Sequence, residues 1–263
     1  MSERRLHEHL VETRQDGIAV LRIDREEALG ALSRSIMERL GDYFAALQGD
    51  DEVRVLVLTG TGRGFIAGAD ITEYHNVSQA AFDDYQRLGR SVFTALERLP
   101  QTTIAAVNGY ALGGGFEVVL CCDLIVASEK AKFGLPEVKL GLLPGGGGTQ
   151  RLARAAGARF TKELVLTSRF ATAAELSERG LISQVCEPDR LYEQAFELAT
   201  TIAAQAPLAT RAAKRLIDDG LTMELETGLT VEQQVLSHLF ASADAKEGIN
   251  AFIDKRDPAF KGT

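Results

Sequence analysis

Apolar runs of two different periods alternate along the first half of the chain, and that alternation restricts the fold more than any other feature. Residues 17–24 and 53–60 are short, rich in Val, Leu and Ile, and bounded by turn residues, as strands are. Between them, Ile36, Met37, Leu40, Phe44 and Leu47 recur at helical spacing over 33–48. A second helical stretch over 78–99 carries Phe82, Tyr85, Leu88, Val92, Phe93 and Leu96, and leads into a strand at 103–109. Glycines open a short helix near Gly114, and 123–128 reads as a further buried strand. The expectation is an α/β fold with helices packed on a mostly parallel sheet.

Beyond about Thr161 the pattern changes. Only 182–186 reads as a strand there. Thr172 and Glu175 have the spacing of a capping box, and Gly180 stands where a C-terminal cap belongs. Residues 191–204, 207–219, 221–240 and 244–253 are helical by period, with Pro207 at a first helical position and Gly220 at a stop. The last quarter is therefore a helical layer that closes the core or serves assembly.

The net charge of −8 argues against binding to nucleic acid or to an anionic membrane, since both rest on clustered cations. Three cysteines, two of them adjacent in an apolar run, do not make a disulfide framework and point to a reducing compartment. No signal peptide and no apolar run of about 20 residues is present, so the expected location is cytoplasmic. His7 and His9 are read as part of a solvated chain end, with no metal site expected.

Three segments join glycines to an acidic residue. In 60–73 the glycines at 60, 62 and 64 leave Phe65 where a dinucleotide fingerprint needs its third glycine. Asp70 with Glu73 has capping-box spacing, which leaves Asp70 open between a structural and a functional role. In 111–127, Gly113, Gly114 and Gly115 lead into a helix whose first turn holds Glu117. Free amides and the positive end of the helix dipole gather at Gly114, a place that favours anions. Carboxylates are seldom buried without a partner, yet the nearest cations in sequence to Glu117 are Arg98 and Lys130. Either backbone donors or a distant Arg satisfy Glu117, or burial tunes it for proton transfer. In 133–152, Glu137 has Lys139 as a local partner, and the glycines 145–148 read as a loop ending at a helix start rather than as a ligand site.

Taken together and in order, the stretches RGFIAGADI, IAAVNGYALGGGFEVVLCCDLIVAS, AKFGLPEVKLGLLPGGGGTQRLAR and AFIDKRDPAFKG resemble the crotonase superfamily, specifically its enoyl-CoA hydratase/isomerase branch, across nearly the whole chain. The resemblance implies a spiral of ββα units over 1–200 and a C-terminal helical trimerisation region over 201–263. It also implies a homotrimer or a hexamer built as two trimers. By the same resemblance the catalytic pair is Glu117 and Glu137, and the oxyanion hole is the amides of Ala69 and Gly114. Ala67, Gly68, Asp70 and Ile71 meet the CoA portion of the substrate, and Phe260 and Lys261 reach a neighbouring subunit's CoA site.

The implied reaction is hydration of a trans-2-enoyl-CoA, as in fatty-acid β-oxidation, with no metal and no cofactor beyond the CoA that belongs to the substrate. The alternatives within the family are a specialised member such as a crotonobetainyl-CoA hydratase, or an enoyl-CoA isomerase. Isomerases of the family generally rely on the position of Glu137 alone, so two filled positions favour hydration. Three departures stand out: Gly30 in place of the common Asn, expected to affect a turn; Ile66 in place of a small residue, expected to reshape the CoA channel; and Thr102-Thr103 where Lys-Pro is frequent.

Overall fold

The computed structural model describes residues 2–263, and it begins with a hairpin where a solvated end was expected. Strand β1 (Ser2–His7) pairs antiparallel with β2 (Leu10–Gln15), and β2 pairs antiparallel with β3 (Ile18–Ile23). Leu10 and Val11 are buried, and Glu12 accepts hydrogen bonds from Tyr43 Oη (2.9 Å) and Arg14 Nε (2.8 Å). His9 Nδ1 lies 3.2 Å from the Asp24 carbonyl. The segment is thus an edge of the sheet, and its polar residues are partners in that edge.

The chain continues through α1 (Arg34–Gln48), β4 (Val55–Gly60), β5 (Gly64–Ile66) and α2 (Gln79–Glu97). Next come β6 (Thr102–Val107), β7 (Tyr110–Leu112) and α3 (Gly114–Val119), then β8 (Leu124–Ser128), β9 (Lys132–Gly134) and α4 (Gly148–Ala156). Three consecutive passes therefore run strand, short strand, helix. The longer strands build one sheet in the order β1-β2-β3-β4-β6-β8, with β3, β4, β6 and β8 parallel. The short strands build a second sheet through β9-β7-β5. This is the expected α/β spiral of ββα units.

Side-chain alternation decides what each sheet face covers. Ala19, Leu21, Leu56, Leu58, Ala105, Val107 and Ile125 belong to the core shared with α1 and α2. Ile18, Val20, Val55, Val57, Ile104, Ala106 and Val126 point the other way. Because both faces are covered, the strands read as near-continuous apolar runs. Ser33 and Ser78 start α1 and α2 as N-caps, accepting from the amides of Ile36 and Ala81.

After α5 (Ala158–Thr167) the chain adds β10 (Ala171–Thr172) to the small sheet, α6 (Ala173–Glu178), and β11 (Gln184–Cys186) to the free edge of the large one. β10 escaped the sequence reading because two residues carry no period. The expected capping box there is half formed. Thr172 Oγ1 accepts from the Glu175 amide (3.1 Å), but the Glu175 carboxylate turns to Arg169 (2.6 Å).

Helix α7 (Leu191–Ala203) covers the second face of the large sheet with Ala195, Ala199 and Ala203, small residues four apart that allow close approach. The division expected after residue 200 falls inside this helix. Then follow α8 (Pro207–Gly220), α9 (Leu225–Phe240) and α10 (Ala243–Asp254). Gly220 is the last residue of α8, where the stop was expected, and α9 starts four residues later than its period suggested. Lys214 of α8 pairs with Asp123 (2.8 Å), and Arg98 pairs with Asp219 (2.8 Å). Large apolar side chains of this layer face outward, among them Leu221 (84% exposed) and Phe252 (85%). Among the described residues no helix is long and apolar enough to cross a membrane.

One glycine shows why its turn carries it. At Gly30, φ is +75° and a Cβ would stand 2.5 Å from the Phe65 carbonyl oxygen, so the turn requires glycine, as expected. Ile66 is a correction. It is 1% exposed in the core and does not line the cleft described below.

Candidate active site

Helix α3 brings Glu117 to the floor of a cleft of about 480 Å³, walled by α2, the segment 67–71 and the segment 136–146. Its approach depends on glycine. Gly113, at φ +52° and ψ −125°, turns the chain into the helix, and a Cβ there would stand 3.0 Å from Glu137 Oε1. A Cβ at Gly115 would lie 1.8 Å from the Ile66 carbonyl, so α3 packs directly on β5. Together these place Glu117 and Glu137 on the same cleft wall system, although they are twenty residues apart in sequence.

Glu117 is 3% exposed, and the Gly148 amide donates to its Oε1 at 2.8 Å. Burial raises its pKa, while the amides of Gly148, Gly146 and Gly147 and the charge of Arg151 oppose the rise. Backbone donors therefore do stand in for the missing cation. They leave Oε2 beside Gly146, where a Cβ would come within 2.6 Å of it.

Glu137 opens a 3₁₀ turn (Glu137–Leu140) just after Pro136. Its Oε2 is buried without a hydrogen-bond partner, and no ion pair joins it to Lys139, contrary to the local reading. Burial first, and then the negative charge of Glu117, push its pKa up to about 7, against the pull of its own amide. A carboxyl in that range can give or take a proton near neutrality.

Two amides face the same space. Leu32 bridges Ala69 in parallel register: the Leu32 amide donates to the Gly68 carbonyl, and the Asp70 amide donates to the Leu32 carbonyl, both at 2.8 Å. That pattern turns the N–H of Ala69 to the opposite side. The Gly114 amide opens α3 and has no intrahelical acceptor. The two are close, since a Cβ on Gly114 would stand 3.8 Å from the Ala69 nitrogen. Two convergent donors beside two carboxyls of raised pKa form a site that can stabilise a developing oxyanion and move protons.

Of the residues singled out from the sequence, Ala67, Gly68, Ala69, Ile71, Gly114, Glu117 and Glu137 all line the cleft. Asp70 does not. It caps the 3₁₀ turn (Ile71–Tyr74) through Thr72 and pairs with Arg25 at 2.8 Å. Its supposed capping partner Glu73 accepts instead from the Arg34 amide at 2.7 Å, at the start of α1. Phe260 and Lys261 also lie away from this cleft. The Phe260 carbonyl accepts from Arg54, and the Lys261 amide donates to Asp244.

Sequence reasoning missed the glycines 145–148. Gly145 and Gly146 line the cleft, and a Cβ at Gly146 would strike the Phe93 ring at 2.4 Å. Their placement depends on Arg151, which donates to the Gly146 carbonyl (2.8 Å) and forms a two-armed pair with Glu97 of α2 (2.7 Å each). Only the fold joins residues 54 positions apart, although the absence of side chains at 145–148 was a usable signal. Among the described residues no group of three or more His, Cys, Asp or Glu is placed to ligate a metal ion.

Comparison with known proteins identifies the family. The family described as Enoyl-CoA hydratase/isomerase matches residues 13–263. A crotonyl-CoA hydratase of Syntrophomonas wolfei is 37% identical over 255 residues, covering 97% of this chain and 98% of the relative. A 2,3-dehydroadipyl-CoA hydratase of Escherichia coli is 40% identical over 253 residues, covering 96% and 98%. The crystal structure of an enoyl-CoA hydratase from Bacillus anthracis superposes with a TM-score of 0.95 at 37% identity, covering 97% of this chain and all of that one. The chain belongs to the enoyl-CoA hydratase/isomerase family.

Proposed function

We propose that the protein adds water reversibly, in syn fashion, to a trans-2-enoyl-CoA and yields the 3-hydroxyacyl-CoA. The observation that carries the reading is the convergence of two free amides, Ala69 and Gly114, with two carboxyls of raised pKa, Glu117 buried and Glu137 half-buried. The thioester oxygen accepts from both amides. Glu117 holds a water through its free oxygen and takes its proton as the water oxygen bonds to Cβ. The π electrons move to the thioester oxygen as an enolate, where each donor is worth about 2.7–4 kcal/mol by analogy with other oxyanion holes. Glu137 then delivers its proton to Cα, and the enolate collapses to the saturated thioester. The two carboxyls divide base and acid work because their surroundings differ.

This chemistry asks for no metal and no cofactor beyond the CoA carried by the substrate. Ala67, Gly68 and Ile71 border the path to the amides and are assigned to the CoA portion, with Asp70 holding their turn in place. The outward apolar side chains from Pro207 onward fit a trimer, or a hexamer of two trimers, with Phe260 and Lys261 offered to a neighbouring subunit's CoA. Free cysteines fit a cytoplasmic enzyme. The relatives named for crotonyl-CoA and 2,3-dehydroadipyl-CoA support the reaction class and leave the acyl chain open between them. Incubation with crotonyl-CoA should remove the absorbance of the conjugated thioester and give a product heavier by one water. A product of unchanged mass with a shifted double bond would replace hydration by isomerisation.

A further inference from the structure

One face of α2 runs along the cleft. Phe82, Tyr85, Gln86, Gly89, Arg90 and Phe93 fall at the helical spacing of a single stripe, and all six line the cavity. Phe93 marks the reacting end, because a methyl group on Gly146 or Gly114 would approach its ring at 2.4 or 3.9 Å. Arg90 is three residues back, about 4.5 Å along the helix axis. Gln86 is a turn further, with its Oε1 2.7 Å from the place of a Cβ on Gly145. Arg90 is thus the cation of the stripe, just under one turn from Phe93 at the reacting end.

Its neighbours are all engaged: Arg87 pairs with Asp84, Arg98 with Asp219 and Arg151 with Glu97. Arg90 has no hydrogen bond and no ion pair among the described residues. A guanidinium offers a planar fork of donors that matches a carboxylate. Lys139, the other cation on the wall, stands on the Glu137 turn, whereas Arg90, exposed like it, stands on the α2 stripe. A free acyl-chain carboxylate inside this cleft would be repelled by Glu117 and Glu137 unless a cation held its far end away from them. We infer that Arg90 selects 2-enoyl-CoA substrates whose acyl chain ends in a carboxylate, by pairing with that carboxylate. The inference rests on the hydratase reading above.

The test compares two thioesters of equal chain length, 2,3-dehydroadipyl-CoA and 2-hexenoyl-CoA, with wild type, Arg90→Gln and Arg90→Lys. Wild type should prefer the diacid in kcat/KM. Arg90→Gln should lower the diacid-to-hexenoyl ratio about tenfold or more, Arg90→Lys should retain part of it, and added salt should shrink it in wild type. Calorimetric binding of the unreactive pair adipyl-CoA and hexanoyl-CoA reads the same contact without turnover. A ratio that Arg90→Gln leaves unchanged, or equal affinity of wild type for the unreactive pair, would overturn the inference. Failure to hydrate either enoyl thioester, with adipyl-CoA still bound more tightly through Arg90, would sink the hydratase reading and leave the inference standing.

Discussion

Replacing Glu137 by Gln should cut activity severely and shift the stability of the fold by an amount that depends on pH. The folded state holds the Glu137 proton up to about pH 7, because burial and the charge of Glu117 disfavour the ionised form. The unfolded chain releases it near the ordinary glutamate value, about 4.3. Between those limits the unfolded state binds fewer protons, so this residue makes stability fall as pH rises, and the whole penalty is in force above about pH 7. At about 1.4 kcal/mol per pKa unit the rise corresponds to about 4 kcal/mol at most. An unpartnered amide in the same place costs about 1–3 kcal/mol, which is present at every pH. The difference in stability between variant and wild type should therefore swing by about 3 kcal/mol in favour of the variant between pH 4.5 and pH 8. For a chain of this size that is a swing of roughly 5–10 °C in Tm. Thermal melts of both proteins across that range read it directly. A Tm difference that stays constant with pH would refute the raised pKa, and with it the role of Glu137 as a proton donor near neutrality.

Three further outcomes follow from the same geometry. The pH profile of hydration should be a bell whose alkaline limb begins near pH 7, falling about tenfold per pH unit as Glu137 loses its proton, with both limbs belonging to the coupled pair. Steady-state rates from pH 5 to 9 check this. Arg151→Ala removes the clamp between Glu97 and the Gly146 carbonyl, so the amides aimed at Glu117 drift. It should lower kcat by about 10- to 100-fold, with partial return in Arg151→Lys, a smaller change in KM and a displaced acid limb. Gly115→Ala forces a Cβ to within 1.8 Å of the Ile66 carbonyl and should cost about 1–3 kcal/mol in chemical denaturation, more than a surface substitution costs.

The long elements were legible because their signals are local. Helical periods marked α1 and α2, and apolar runs marked the buried parallel strands. Glu117 was conspicuous for the same reason, as a carboxylate in an apolar helix with no cation nearby. What escaped was set by distant residues. The N-terminal hairpin is polar because it forms an edge, so it resembled a solvated tail. β5, β7, β9 and β10 have two or three residues each, too few for a period. Asp70 and Glu73 have capping-box spacing, and Asp70 does cap its turn with one oxygen while Arg25 takes the other, but the Glu73 carboxylate goes to the Arg34 amide. The glycine loop 145–148 took its meaning from Phe93 on α2, Glu117 on α3 and the pairing of Arg151 with the distant Glu97. Ile66, suspected from its size alone, fills the core.

The central claim is that two carboxyls and two amides act on one thioester. Its most direct measurement is the rate of crotonyl-CoA hydration by Glu117→Gln, by Glu137→Gln and by the double variant, with each fold checked by its melt. Each single variant should lose about 10²–10⁴ in kcat. The double variant should fall no further than the product of the two losses, as expected for groups acting on one transition state. Hydration by the folded double variant at anything near the wild-type rate would contradict the account.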